Sequence, residues 1–209
     1  MGHKMFRVSL TLSTLLVGIS ALFPVFANDD VAIIIGNKSY SDRDIPSVEF
    51  AHNDAKAMKL FFSETLHIRE ENIIYLEDAT QAQMQSTFGR EGNHRGKAYQ
   101  YIKPKVSNLY VYYSGHGIPG RYDTQTYLLP SDADIETIDI NGYSTALLYE
   151  NLEKTDAKSI TVFLDACFSG SSHAGPLLKN ASGAVLVAKE SQPSQTDLAT
   201  QQKHLTLLS

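Results

Sequence analysis

Cysteine is nearly missing from this 209-residue chain, which has only Cys167. A lone thiol closes no intramolecular disulfide and by itself makes a poor metal site, so packing or reactivity remains. No Gly-x-Ser-x-Gly stretch occurs, which counts against a serine hydrolase built on a nucleophile elbow. Internal repeats and low-complexity tracts are absent from the sequence as well, and the aspartates at 123, 132, 134 and 139 follow no calcium-loop spacing. Cations are the minority, 18 Lys+Arg against 23 Asp+Glu. The expected partner is therefore no nucleic acid, whereas a cationic peptide would be attracted.

Charge is missing in one long stretch. Lys4 and Arg7 precede an uncharged run from Val8 to Phe23, and Pro24-Val25-Phe26-Ala27 follows with a small residue at its end. This is the pattern of a secretory signal peptide over residues 1–27. An uncleaved anchor is the alternative, but the run falls short of the roughly 20 residues a span needs. No cysteine follows it, so lipid attachment there is excluded. The expectation is a secreted or periplasmic domain over 28–209, with no stable membrane span after removal of the signal. Losing Lys4 and Arg7 moves the formal charge from −5 to −7. Oxidising compartments favour paired cysteines, so an unpaired thiol in an exported protein speaks for chemistry at Cys167.

At 43% hydrophobic and 20% charged residues, the remainder has the composition of one globular domain. Asp30-Val31-Ala32-Ile33-Ile34-Ile35-Gly36 is too continuously apolar for a half-exposed strand and reads as one buried on both faces. Asn53 and Asp54 stand where a cap would, before a helix carrying Ala55, Met58, Phe62 and Leu66. Ile73 to Leu76 forms a second strand. Thr80 caps a second helix with Met84 and Phe88 on one face. The glycines at 89, 92 and 96 make 89–97 an exposed loop, and 98–106 re-forms a turn of helix.

Asn108 to Tyr113 is a third strand, and 117–142 reads as a long loop of the active-site type with one short edge strand. Ser144 to Lys154 is a third helix, Ile160 to Asp165 a fourth strand, and Ala184 to Ala188 a fifth. Residues 189–209 hold no convincing element, and Leu205-Thr206-Leu207-Leu208 looks like the start of one cut short. Strands alternating with helices predict an α/β fold, a three-layer sandwich around a mostly parallel sheet.

Two of these strands end in chemistry. Tyr112-Tyr113-Ser114-Gly115-His116-Gly117 closes the third, and Asp165-Ala166-Cys167-Phe168-Ser169-Gly170 closes the fourth. If the strands are parallel neighbours, His116 and Cys167 meet in the crevice where open α/β sheets bind ligands. A thiol attacks a carbonyl as thiolate, with an imidazole to take its proton and donors for the oxyanion. Gly115 and Gly117 leave the backbone free to approach a substrate, and the N–H groups of Gly117 and Cys167 could serve one oxyanion.

With Ala32-Ile33-Ile34-Ile35-Gly36-Asn37, Tyr40 and Asn53-Asp54-Ala55, these motifs resemble the caspase-like cysteine peptidases, and within them the bacterial metacaspase-like members. Order and spacing agree over about residues 30–190. The resemblance implies a thiol endopeptidase with Cys167 as nucleophile, His116 as general base and then acid, and no cofactor, although some members need calcium. It also implies a substrate pocket of Asp54, Ser114 and Asp165 that takes Arg or Lys before the scissile bond. Two carboxylates in one pocket suit a guanidinium or ammonium. Otherwise Asp54 is a helix cap, Ser114 a strand-end hydroxyl, and Asp165 a loop-orienting carboxylate, while His52, His67, His94, His173 and His204 are surface or loop histidines. The resemblance further implies a strand and helix beyond the fifth strand, so the domain is expected to be incomplete at its C-terminus. A catalytically impaired peptide-binding module is the alternative function.

Overall fold

The computed structural model describes residues 28–166, Phe168 and the short strands at 171–172, 175–176 and 205–208. The first strand, β1 (Val31–Gly36), is buried at every position. Successive side chains of a strand point to opposite faces, and here each face has its own core. Ala32 and Ile34 pack with Ala55 and Phe62, while Val31, Ile33 and Ile35 pack with Met84, Phe88, Leu148 and Leu152. Only an uninterrupted apolar run satisfies both.

Helix α1 (Ala51–Leu60), continued by a π-helical turn over Phe61–Thr65, leads to β2 (Ile73–Glu77). Next come α2 (Gln81–Phe88), α3 (Lys97–Tyr101) and β3 (Asn108–Ser114). An excursion follows: β4 (Gly117–Pro119), β5 (Thr126–Leu128), α4 (Ile138–Asn141) and β6 (Tyr143–Ser144). Then α5 (Thr145–Glu153) feeds β7 (Ser159–Asp165). A two-residue ladder joins β8 (Ser171–Ser172) to β9 (Gly175–Pro176), and β10 is Leu205–Leu208.

The main sheet has the order β10-β7-β3-β1-β2, and every pairing is parallel. With α1 on one face and α2, α3 and α5 on the other, this is the expected three-layer α/β sandwich. Gly36, Ser114 and Asp165 stand in register at the carboxyl edge of three adjacent strands. The sheet thus lines up its chemistry before any loop contributes.

Four expectations change. Helix α1 starts at Ala51 with Phe50 as its cap and no side-chain cap bond, so Asp54 lies in the first turn and caps nothing. Its early start follows from a close approach, since a Cβ on Gly36 would sit 2.6 Å from the carbonyl oxygen of Ala51. The stretch 117–142 is no open loop: it holds β4 and β5, which pair with each other and, through β5, with β6 just beyond it in an antiparallel sheet, and it also holds α4. Ile118, Tyr127, Leu129, Ile135 and Ile138 give it a small core of its own, with Ile45.

Residues 89–97 are a closed hairpin in which Arg90 and Asn93 exchange backbone hydrogen bonds of 2.8 and 2.9 Å. Finally, Leu205–Leu208, within the stretch 189–209 expected to hold no convincing element, is a strand paired with β7. Thr80 does cap α2, in a reciprocal box with Gln83. The strand expected at 184–188 lies outside the described residues, as does the segment 1–27. No helix among the described residues is long and apolar enough to cross a membrane.

Candidate active site

His116 follows β3 by two residues and is 7% exposed. Its main chain is fixed at both ends: the N–H donates to the Tyr40 hydroxyl (3.0 Å), and the carbonyl accepts from the Tyr113 hydroxyl (2.9 Å) and the Leu129 N–H (3.0 Å). The Tyr40 ring lies 5.2 Å from the imidazole, centre to centre. The imidazole Nε2 is 2.7 Å from the carbonyl oxygen of Pro46. A carbonyl only accepts, so Nε2 carries the proton and, in the neutral ring, Nδ1 keeps a lone pair. Burial pushes the His116 pKa down, and the bond to Pro46 only partly offsets this. The site therefore holds a neutral imidazole whose free nitrogen is a base.

Pro46 and Tyr40 ride on the segment joining β1 to α1, and that segment is fastened by residues to which the sequence alone gave no such role. Asn37, fully buried, donates to the carbonyls of Ala79 (3.3 Å) and Leu129 (2.9 Å) and accepts from the Ala79 N–H (2.7 Å). Asp78 accepts from the N–H groups of Lys38 (2.8 Å) and Ser39 (2.9 Å), and His52 Nε2 lies 2.8 Å from the same oxygen. Burial raises the Asp78 carboxyl, but these bonds outweigh it and leave the pKa below the usual carboxylate range. His52 thus serves the segment that holds His116, where the sequence suggested a plain surface histidine. An aspartate at φ +50°, as Asp78 is, is a backbone feature that no residue count reveals.

Across the sheet edge, β3 and β7 bring Ser114 opposite Asp165, and α1 carries Asp54 toward them. Burial pushes the Asp54 carboxyl up, and the Asp165 charge pushes it further, so the two carboxylates share one neighbourhood. Tyr112 completes the group. Burial first, then Asp165, raises its phenol to about 12, with the Asp54 charge adding to the shift and Ser114 lowering it. Tyr112 and Ser114 are two positions apart on one strand and so share a face, a periodicity signal in the sequence that could have identified Tyr112.

The structure thus brings Asp54, Ser114 and Asp165 together. Cys167 follows the last residue of β7 by two positions, and its thiol, with its part in the oxyanion site, lies outside the described residues. Gly117 is buried, and a Cβ there would be 2.5 Å from the Phe168 ring. At Gly115 it would be 2.7 Å from the Tyr113 hydroxyl. At both glycines a side chain of the protein itself stands where a Cβ would be.

For calcium, Asp123 and Asp139 converge beside Gly120, and the buried Asp139 Oδ2 has no hydrogen-bond partner among the described residues. Two carboxylates fall short of the roughly six to eight oxygens calcium takes. No group of three ligating side chains occurs among the described residues.

The structure is a parallel α/β sheet with a buried, tautomer-fixed histidine and two neighbouring carboxylates at its carboxyl edge, and the sequence places Cys167 two positions after the last of them. Residues 29–209 match the family model of the caspase domain, and the chain belongs to that family of cysteine peptidases. A search among curated proteins returns no match.

Proposed function

We propose that the protein is an exported cysteine endopeptidase that cleaves after basic residues, with Arg preferred over Lys. The observation that carries the mechanism is the bond from His116 Nε2 to the Pro46 carbonyl, because it leaves Nδ1 free to accept a proton. His116 takes the proton of the Cys167 thiol, and the thiolate sulfur attacks the scissile carbonyl carbon. The carbonyl π electrons move to oxygen, where the N–H groups of Gly117 and Cys167 stabilise the charge. As that oxygen re-forms the carbonyl, the C–N bond breaks and His116 Nδ1–H protonates the leaving amine. Water, deprotonated by the same nitrogen, then attacks the thioester and releases the acid and the thiol.

Asp54 and Asp165 support the basic preference. Burial first, and then the Asp165 charge, raise the Asp54 pKa, and a cation between the two carboxylates would offset their repulsion. A guanidinium fork can serve two carboxylates at once, whereas an ammonium is a compact point charge. Ser114 and Tyr112 add hydroxyls that orient the pair.

The test is hydrolysis of fluorogenic peptides ending in Arg by the purified protein, beside its Cys167→Ala and His116→Ala variants. Each variant is expected to lose at least about 10³-fold in kcat, with the double variant little worse, because the two groups act as a unit. Undiminished turnover by either single variant would remove the mechanism. Peptide binding with no turnover by the native protein would point instead to an interaction module.

A further inference from the structure

The hairpin 89–97 is built more tightly than a connecting loop requires. Gly89 sits at φ +94° and Gly92 at φ +72°, where side chains are strained. A Cβ on Gly96 would lie 2.5 Å from the Thr87 carbonyl oxygen, and the Gly89 carbonyl accepts from the buried Tyr143 hydroxyl at 2.9 Å. Asn93 Oδ1 accepts from the Arg95 N–H (3.1 Å), and Gln100 Nε2 donates to the Arg95 carbonyl (3.2 Å). The Arg95 guanidinium rests over the Tyr99 ring, 5.9 Å from its centre. A rigid segment that adds nothing to the sheet invites a functional explanation.

What this hairpin presents is a cavity of about 410 Å³ between itself, α2 and α3, lined by Gln85, Ser86, Arg90, Asn93, Arg95 and Gln100 among others. That volume falls within the roughly 300–1,000 Å³ of ligand sites. Neither guanidinium has a carboxylate partner among the described residues, although the chain as a whole is acidic. The cavity belongs to the helix layer opposite α1, so it is separate from the Asp54 and Asp165 pair.

We propose that this cavity binds an acidic peptide segment, with an Asp or Glu carboxylate clamped by Arg90 and Arg95. Guanidinium forks match carboxylate geometry. The amides of Gln85, Asn93 and Gln100 offer both donors and acceptors, as a peptide main chain requires, whereas an inorganic anion would use only the donors and would leave most of the volume empty. No aromatic ring lines the cavity, so it has no platform for a nucleobase.

The test is fluorescence polarisation on the native protein with a labelled decapeptide alternating Glu and Ala, a matched Gln and Ala peptide, and inorganic phosphate as competitor. These peptides hold no basic residue, so the outcome does not depend on the peptidase reading. The Glu peptide is expected to bind at least about tenfold more tightly than the Gln peptide. It should also lose at least about tenfold in affinity in the Arg90→Gln/Arg95→Gln variant, since two charge-assisted contacts are removed. Arg90→Lys/Arg95→Lys, which keeps the charge and the fold but loses the forks, should fall between. Equal affinity for the two peptides, or no change in either double variant, overturns the proposal. Displacement of the Glu peptide by phosphate at low millimolar concentration overturns the choice of occupant and makes the site one for a small anion.

Discussion

At the scale of single residues, the account turns on one nitrogen of His116. Burial lowers its pKa, so the ring stays neutral, and able to act as a base, down to a lower pH than an ordinary histidine. In a Cys167→Ala variant, where no thiolate can pair with the imidazole, NMR titration of His116 should give a midpoint below the usual value of about 6.5. The Nε2 proton should persist through neutral pH. A midpoint above 7, or a proton on Nδ1, would contradict the assigned tautomer and with it the base. The sequence pointed to His116 because glycines flank it at a strand end. It did not show Pro46, whose contribution is a carbonyl oxygen that any residue possesses. Asp78 and His52 were hidden for a related reason, since their partners lie 39 or 40 and 26 positions away.

At the scale of elements, the strands were legible and the segments between them were not. A strand buried on both faces has to be apolar throughout, so Val31–Gly36 announces itself, and Ser159–Asp165, half-buried, does so by its apolar, β-branched middle. The three-stranded sheet β4-β5-β6 is built from strands of two or three residues, too short for any period to register. Its core draws on Ile45, far away in the sequence, as well as on Ile118 and Tyr127 of its own strands. Gly36 shows how an element boundary places the site: lacking a Cβ, it lets the first turn of α1 close over the sheet edge, and that turn carries Asp54. Gly36→Ala should destabilise the fold by about 1–3 kcal/mol, because the added carbon meets backbone that cannot swing away. It should also lower kcat/KM for Arg peptides by displacing Asp54. Urea unfolding and steady-state kinetics check both. An unchanged midpoint would mean that the close approach is not a constraint.

At the scale of the whole molecule, the parallel sheet sets the edge and supplies Asp165 at the end of β7, while α1 brings Asp54 to it. Membership of the caspase domain family over residues 29–209 agrees with that architecture. Export is the remaining large-scale expectation. Mass spectrometry of protein recovered from outside the cytoplasm should find the N-terminus at or close to Asn28, and an intact Met1 would refute signal removal.

The central claim is that two carboxylates at the sheet edge select a basic residue for a thiol to cleave beside. Its most direct test is kcat/KM for matched peptides ending in Arg, Lys and Asp, measured on the native protein and on Asp165→Asn. The account predicts Arg above Lys, with Asp uncleaved because a third carboxylate would join two. Asp165 is exposed in the free protein, so the account also predicts a loss of Arg discrimination in the variant that reaches roughly 2–5 kcal/mol if the bound substrate buries the charge pair and is much smaller if Asp165 only orients a loop. Preferred cleavage after Asp by the native protein, or an Arg preference that survives Asp165→Asn unchanged, would contradict it.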